Sequence, residues 1–278
     1  MTMMRKLLTV GALAGAVAMT GTLHAQRGGR GGAPPTARAA APVDLTGYWV
    51  SVVTEDWRYR MITPAKGDHP SQPLNAAGAK LADSWDPAKD EAAGEACRAY
   101  GAAGLMRVPG RFHFTWQDDN TMKVDAEAGT QTRLFRFLGA PAMTLLQTGA
   151  PEIPGLMPEA LTPSWQGTSL ATWEYAGGRR GGAPANPPPA NMNMGNLKVV
   201  TTRMKPGYLQ KNGVPYSANA VLTEYFSRTF EPNGDSWLIL TSVVEDPIYL
   251  NNRYVRSTHY KRLPDNNTAW EPEQCSAR

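Results

Sequence analysis

The feature that most constrains the fold of this chain is a two-residue alternation of apolar and polar side chains. In Arg111–Gln117 the three aromatic residues all fall on one face, and polar residues fill the other. Side chains of a strand point alternately to opposite faces of a sheet, so this spacing predicts a strand with one buried and one solvated side. Thr121–Asp125 and Gln131–Leu138 follow across short polar turns. The three segments together predict an antiparallel meander.

Similar strand-forming segments recur along the rest of the chain. They are Leu45–Val53, Ser169–Tyr175, Leu197–Met204, Val221–Phe230, Ser236–Glu245 and Arg253–Leu263. Asn233-Gly234 lies between two of these segments, and Asn-Gly favours a tight hairpin turn. Asn75–Tyr100 is rich in helix-forming residues and is interrupted at Asp86-Pro87. Nine or so antiparallel strands with one helical insertion predict an all-β barrel or sandwich.

The first 25 residues have the pattern of a secretory signal peptide. Arg5 and Lys6 precede an apolar run from Leu7 to Met19, and small residues end the stretch at Ala25. The apolar run is shorter than a membrane span, which needs about 20 residues. We therefore expect a periplasmic or secreted protein without a membrane span.

Composition divides the remainder of the chain. Residues 26–43 are rich in Gly, Pro, Ala and Arg and predict a disordered tether, because such a segment buries little apolar surface. A similar composition at 176–195 predicts a disordered loop within a single β domain that spans 44–278. The chain has 28 Lys and Arg against 24 Asp and Glu. Seven of the basic residues lie in the leader or in these two segments, so the body is slightly acidic and nucleic-acid binding is not expected.

The two cysteines, Cys97 and Cys275, predict one disulfide in an exported protein. Two separate buried thiols are the alternative. Neither cysteine has a second Cys or a His at metal-ligand spacing. The sequence also contains no phosphate loop, dinucleotide fingerprint or nucleophile elbow. We expect neither a metal ion nor another cofactor, and the sequence does not indicate an oligomeric state.

One face of the strand Val221–Phe230 carries charges among apolar residues. This face consists of Leu222, Glu224, Phe226, Arg228 and Phe230. If it points inward, Glu224 and Arg228 lie in an aromatic-lined cavity, about 13 Å apart along the strand. Desolvation would then make Glu224 a candidate general acid or base, with Tyr225 or Tyr216 assisting. The alternatives are a solvent-exposed face and a buried structural ion pair.

Arginines and aromatic residues supply the candidate ligand contacts. Asp56–Arg60 would place Arg58 and Arg60 on one face of a strand, and Arg203 shares a strand face with Thr201. Arginines that converge on a cavity suit a carboxylate or phenolate ligand, whereas exposed strand arginines are the alternative. The residues predicted to bind a ligand are Arg203, Arg228, Trp165, Trp173 and Phe226.

Several fragments occur in a fixed order along the chain. They are Asp44–Trp49 (DLTGYW), Pro163–Ser169 (PSWQGTS), Gly213–Ser217 (GVPYS), Leu222–Arg228 (LTEYFSR), Asp246–Tyr249 (DPIY) and the late Cys275. In this combination the chain resembles a large group of uncharacterised exported bacterial proteins. Many members of that group have His at the positions of Thr168 and Tyr216, so any chemistry of those histidines is lost or different here. The resemblance implies export and a β-rich fold.

Gly47-Tyr48-Trp49 on the first strand looks like the Gly-x-Trp signature of lipocalins. In that family the Trp plugs the closed end of a barrel, and the cup binds small apolar ligands. Together with the meander, the disulfide and export, this resemblance favours an antiparallel lipocalin-like β-barrel.

Three functional hypotheses follow. The first is a barrel that binds a small hydrophobic or aromatic molecule in its cavity. The second is a cofactor-independent lyase, isomerase or hydrolase that uses Glu224 as acid or base, with an arginine stabilising developing negative charge. The third is an envelope interaction module, which would expose a broad apolar patch.

Overall fold

Nine strands close into a β-barrel, and two further strands pair beside it. The computed structural model describes residues 34–176, 193–266 and 269–278. Around the barrel the order is β1-β11-β10-β9-β6-β5-β4-β3-β2, and β2 pairs with β1. The strands are β1 (Gly47–Val52), β2 (Arg111–Asp118), β3 (Thr121–Ala126), β4 (Gln131–Arg136), β5 (Thr168–Tyr175), β6 (Gly195–Thr202), β7 (Gly207–Gln210), β8 (Val214–Tyr216), β9 (Val221–Phe230), β10 (Ser236–Glu245) and β11 (Tyr254–Arg262).

The prediction of an all-β barrel is confirmed, and so is the β2–β3–β4 meander. One pairing departs from the antiparallel expectation, because β5 runs parallel to β4 with Phe135 opposite Ser169. The connection between these two strands crosses back along the barrel and contains the helix α5 (Gly139–Gln147). Parallel neighbours require such a crossover, which a tight hairpin cannot provide.

Short helices occupy the connections between β1 and β2. They are α1 (Trp57–Arg60), α2 (Ala76–Asp83), α3 (Pro87–Ala92) and α4 (Ala102–Leu105). Asn75 and Asp86 accept hydrogen bonds from the backbone N–H groups of Gly78 and Ala88, which explains where α2 and α3 begin. The expectation that Asp56–Arg60 is a strand is wrong, because these residues form the turn of α1. None of the helices in the described ranges has the length and apolar character to cross a membrane.

Large side chains fill the inside of the barrel. The fully buried aromatic residues among them are Trp49, Phe112, Phe114, Phe135, Phe226 and Tyr260. Burial of each such side chain stabilises the fold by about 1.5–3 kcal/mol.

One end of the barrel, where β1 ends and β2 begins, is covered by residues that follow α3. Of these, Leu105 and Met106 belong to the same apolar core as the barrel interior.

The opposite end of the barrel is covered by residues that the sequence assigned to the disordered tether. Ala37 and Val43 are buried, and the carbonyls of Ala37 and Ala40 accept hydrogen bonds from Trp173 Nε1 and the Tyr175 hydroxyl. The tether prediction is therefore wrong for residues 35–43, because aromatic side chains on β5 bind this backbone. The signal peptide, the rest of the tether and most of the predicted loop, 177–192, lie outside the described residues.

The predicted disulfide between Cys97 and Cys275 is confirmed. It fastens the C-terminal residues against the turn between β3 and β4. Thr130 Oγ1 donates a hydrogen bond to the carbonyl of Glu273, and the backbone N–H of Glu273 donates to the carbonyl of Glu127. The bridge and these bonds together hold the tail in place.

Candidate ligand-binding site

Glu224 lies inside the barrel, on the face of β9 that was expected to point inward. Its side chain is 1% exposed, and its partner is Arg133 on β4, which is fully buried. Arg133 Nη1 donates to Glu224 Oε1 at 2.9 Å, and Nη2 donates to Oε2 at 2.5 Å. The guanidinium and carboxylate therefore meet as a two-pronged ion pair.

Two hydroxyl groups extend this buried pair. Arg133 Nη2 also donates to Thr201 Oγ1 at 3.2 Å, and Thr201 Oγ1 lies 2.7 Å from Ser169 Oγ. The guanidinium carbon is 4.8 Å from the centroid of the Phe135 ring. Because both carboxylate oxygens are bound to a charged donor and the barrel interior is packed, this arrangement is that of a structural ion pair, one of the alternatives left open for Glu224.

The other residues predicted to be catalytic do not join Glu224. Tyr225 follows it on β9 and lies on the opposite face, where Lys198 Nζ is 5.5 Å from its ring centroid. Tyr216 on β8 is fully buried in a second apolar cluster, and its hydroxyl has no hydrogen-bond partner in the described part of the chain. Burial raises the pKa of the Tyr216 hydroxyl, which opposes loss of its proton.

Two of the five predicted ligand contacts lie near the end of the barrel covered by residues 35–43. Arg228 was expected to share a cavity with Glu224, but its Nε donates to Ser236 Oγ and its guanidinium packs on the Trp49 ring. Trp173 lies beside Phe137, with ring centroids 5.3 Å apart.

The remaining three predicted ligand contacts are scattered. Phe226 is in the packed core. Arg203 follows β6 and donates a hydrogen bond to the carbonyl of Ala150. The Trp165 ring lies 5.6 Å from Lys205 Nζ, and its carbonyl accepts from the backbone N–H of Ala102. The predicted ligand contacts therefore do not form one pocket.

A different cavity lies where α1, the residues after α4 and β7 meet, and we call it the end cavity. It is lined by Tyr59, Arg60, Ile62, Thr63, Ala99, Gly104, Arg107, Val108, Pro109, Leu209, Gln210 and Lys211. About 30 Å³ of it is wide enough to admit the centre of a water molecule, within about 410 Å³ of empty space that includes its open mouth. The inner part is therefore large enough for a small chemical group.

Arg60 is the most unusual residue of the end cavity. Its side chain is 2% exposed, and it is held by a salt bridge to Glu55 and a 2.9 Å hydrogen bond from Nε to the carbonyl of Arg107. The second terminal nitrogen, Nη2, is buried and has no hydrogen-bond partner in the described residues. Burial lowers the pKa of the Arg60 guanidinium, because the charged form loses solvation in the interior. A charged donor of this kind is suited to bind an anion.

Three further polar residues of the wall are Arg107, Gln210 and Lys211. Arg107 is buried and is bound through Nη2 to Asp56 at 2.8 Å. Lys211 forms no salt bridge within the described ranges, and its Nζ lies 5.6 Å from the centroid of the Tyr100 ring. Gln210 is 8% exposed, and its Oε1 is buried without a partner in the same part of the chain. The wall thus contains three cations and no carboxylate.

Two larger cavities have a different character. One is formed by the loop from Pro151 to Leu161. About 500 Å³ of it is open to the centre of a water molecule, and its residues are mostly exposed. The other lies beside β4 near Arg136, with about 370 Å³ open to the centre of a water molecule, and none of its lining residues is buried. Neither is lined by a buried charged side chain, so the end cavity is the stronger candidate for a specific site.

The sequence pointed to Arg60 but not to its surroundings. As part of a strand, Arg60 would share a face with Arg58, whereas the turn of α1 buries Arg60 and leaves Arg58 exposed, bound to Asp68. Gln210 and Lys211 carry no recognisable signal, because β7 is only four residues long. No three His, Cys, Asp or Glu side chains are grouped as metal ligands in the part of the chain that the structure describes.

Comparison of the chain with protein families, curated proteins and solved structures finds no match.

Proposed function

We propose that this protein is an exported binding protein that takes up a small anionic molecule at the end cavity. The observation that carries the proposal is the buried Arg60 guanidinium, whose Nη2 lacks a partner. An unsatisfied buried donor costs about 1–3 kcal/mol of stability, and a charged one costs more. An anionic group in the end cavity supplies the missing acceptor and offsets this cost.

The charges around the end cavity favour an anion over a cation. Glu55 and Asp56 balance the charges of Arg60 and Arg107 from outside the wall. Lys211 adds a positive charge that no carboxylate balances in the described ranges, and no acidic side chain lines the cavity. An incoming anion therefore gains Coulomb attraction, and the cavity wall excludes part of the solvent that would screen it.

The disulfide between Cys97 and Cys275 supports a periplasmic or secreted location. Stable disulfides of this type form in oxidising compartments and are rare in the cytosol of mesophiles. This agrees with the signal-peptide pattern of the first 25 residues, and the proposal places the binding site in the envelope or outside the cell.

The proposed architecture is lipocalin-like, but the ligand lies outside the barrel interior and not in the cup that lipocalins use. Trp49 is fully buried, its indole N–H donates to the carbonyl of Leu45 at 2.9 Å, and the guanidinium of Arg228 lies 5.3 Å from its ring centroid. In this proposal Trp49 closes one end of the barrel, which is the role that the Gly-x-Trp signature implies. Because side chains also fill the barrel interior, the ligand binds at the other end, outside the packed core.

The surroundings of Glu224 give no support to the alternative of an enzyme. A general acid or base needs access to the substrate. Glu224 is bound through both oxygens to Arg133 and, unlike Arg60, lines none of the three cavities described above. The proposed function therefore assigns Glu224 to stability.

The proposal predicts that the purified protein carries a small molecule that depends on Arg60. Native and denaturing mass spectra of protein from an exporting host should differ by an added mass in the wild type. Arg60→Met should lose this added mass, because the cavity then lacks its unpaired donor. Arg58→Met is the matched control, since Arg58 lies on the same helix but is 67% exposed, and it should retain the mass.

Two results would contradict the proposal. One is a wild-type protein without any added mass, and the other is an added mass that Arg60→Met retains. The thermal unfolding of both variants must be measured beside the spectra, because Arg60 also binds Glu55 and the Arg107 carbonyl.

A further inference from the structure

The dimensions of the end cavity restrict how much of a ligand it can enclose. The volume open to the centre of a water molecule is about 30 Å³. A site needs about 10–15 Å³ of such volume to hold one water molecule. The inner part therefore holds a head group of a few atoms, and the rest of any larger ligand lies at the open mouth.

The chain segment that lines the end cavity also carries exposed apolar side chains, which we call the apolar lip and define as Trp57, Met61 and Ile62. These residues are 64%, 60% and 70% exposed. Ile62 lines the end cavity itself. Met61 lies one helical turn after Trp57, and its backbone N–H donates to the carbonyl of Trp57 at 2.9 Å.

Three large apolar side chains are exposed within six residues of this segment, whereas exposed apolar residues are usually scattered singly over protein surfaces. Ile62 belongs both to the apolar lip and to the wall of a cationic cavity, and Met61 lies in sequence between the lining residues Arg60 and Ile62, so polar and apolar recognition are available from one segment. A ligand that uses both has an anionic head and an apolar body.

The chemistry of the wall indicates the type of head group. Arg60 lines the cavity and has one terminal nitrogen, Nη2, without a partner in the described residues, and Lys211 lines it with one ammonium group. Arg107 is already bound to Asp56, and Gln210 Oε1 is an acceptor that repels excess negative charge. This set suits one monoanionic carboxylate better than a dianionic phosphate, which needs more donors.

We propose that the ligand of the end cavity is an amphipathic carboxylate, with its carboxylate at Arg60 and Lys211 and its hydrocarbon or aromatic body on the apolar lip. This inference rests on the proposed function, because it names the class of molecule that the same site binds. It also accounts for the exposure of Trp57, Met61 and Ile62, which the bound ligand covers.

Isothermal titration calorimetry with three probes tests the inference. Hydrocinnamate has both an aromatic body and a carboxylate, hydrocinnamide lacks the charge, and acetate lacks the body. Hydrocinnamate should bind at least about 10-fold more tightly than either of the others, since a charge-assisted hydrogen bond and the burial of a ring each contribute more than that factor.

Variants of the apolar lip separate the two contributions. Trp57→Ser and Ile62→Ser should each weaken hydrocinnamate binding about 3- to 10-fold and leave acetate binding unchanged. Both side chains are exposed, so these variants should fold. Lys211→Met should weaken hydrocinnamate and acetate alike and serves as a second test of the head-group site beside Arg60→Met.

The outcomes distinguish the inference from the proposed function. If acetate and hydrocinnamate bind equally and both depend on Arg60 and Lys211, the end cavity binds anions but the inference of an amphipathic ligand is wrong. Unchanged hydrocinnamate affinity in both lip variants would overturn the inference in the same way. If no probe shows binding that depends on Arg60 or Lys211, the proposed function itself fails.

Discussion

Replacing Arg133 by methionine should lower the free energy of unfolding by about 3–5 kcal/mol. The substitution leaves the Glu224 carboxylate 1% exposed and without its charged partner. Removal of one member of a buried pair is costly because the remaining charge has lost its solvation and gains nothing in return. Urea denaturation monitored by tryptophan fluorescence measures this loss.

The double variant Arg133→Met/Glu224→Met is the matched control. It removes both charges and keeps side chains of similar volume among Phe135, Phe226 and their neighbours. Apolar replacement of a whole buried pair is often neutral or stabilising, so the double variant should recover most of the lost stability. Thr201 and Ser169 keep their mutual hydrogen bond. A double variant as unstable as Arg133→Met would contradict this account of the pair.

The double variant Cys97→Ala/Cys275→Ala should also lose about 2–5 kcal/mol of stability. The bridge joins residues 178 positions apart, so in the chain-entropy model it strongly restricts the unfolded chain. The C-terminal residues would then be held by a few hydrogen bonds at Thr130 and Glu127. Hydrogen exchange at residues 269–278 should become faster than in the oxidised protein.

Wild-type protein unfolded in the presence of a reductant provides the control for the disulfide. Its midpoint should match that of the double cysteine variant, because both lack only the bridge. If the oxidised wild type and the variant have equal stability, the bridge contributes nothing and the expectation is wrong.

Most of the barrel strands could be predicted because the alternation of apolar and polar side chains along a strand follows which side chains are buried. Val221–Phe230 and Ser236–Glu245 were predicted with their observed bounds, since each has one packed face and the Asn-Gly turn sets their register. The parallel pairing of β4 and β5 could not be predicted in this way. It depends on how α5 packs against β5 and β6, and the local alternation of apolar residues carries no information about that contact.

At the candidate sites too, local sequence patterns predict which side chains point inward but not which residues meet across the fold. The inward position of Glu224 followed from the apolar residues two positions away on each side. Its partner Arg133 had a comparable signal, since Phe135 follows two residues later on the same face of β4, but pairing across the barrel requires the closed sheet. The end cavity depends on α1, and Asp56, the residue immediately before this helix, has a left-handed backbone (φ 49°). Such a conformation is uncommon outside glycine, so a strand was the natural expectation.

The measurement that tests the central claim most directly is a titration of the ¹⁵N-labelled protein with hydrocinnamate, followed by amide NMR. If the end cavity is the binding site, saturable shifts appear at residues 59–63, 107–109 and 209–211, and Arg60→Met abolishes them. Amides around Glu224 in the barrel interior then remain unchanged. Shifts that centre on 223–226 and 133–135, or no saturable shifts at all, would contradict the claim that this protein binds its ligand at the end cavity.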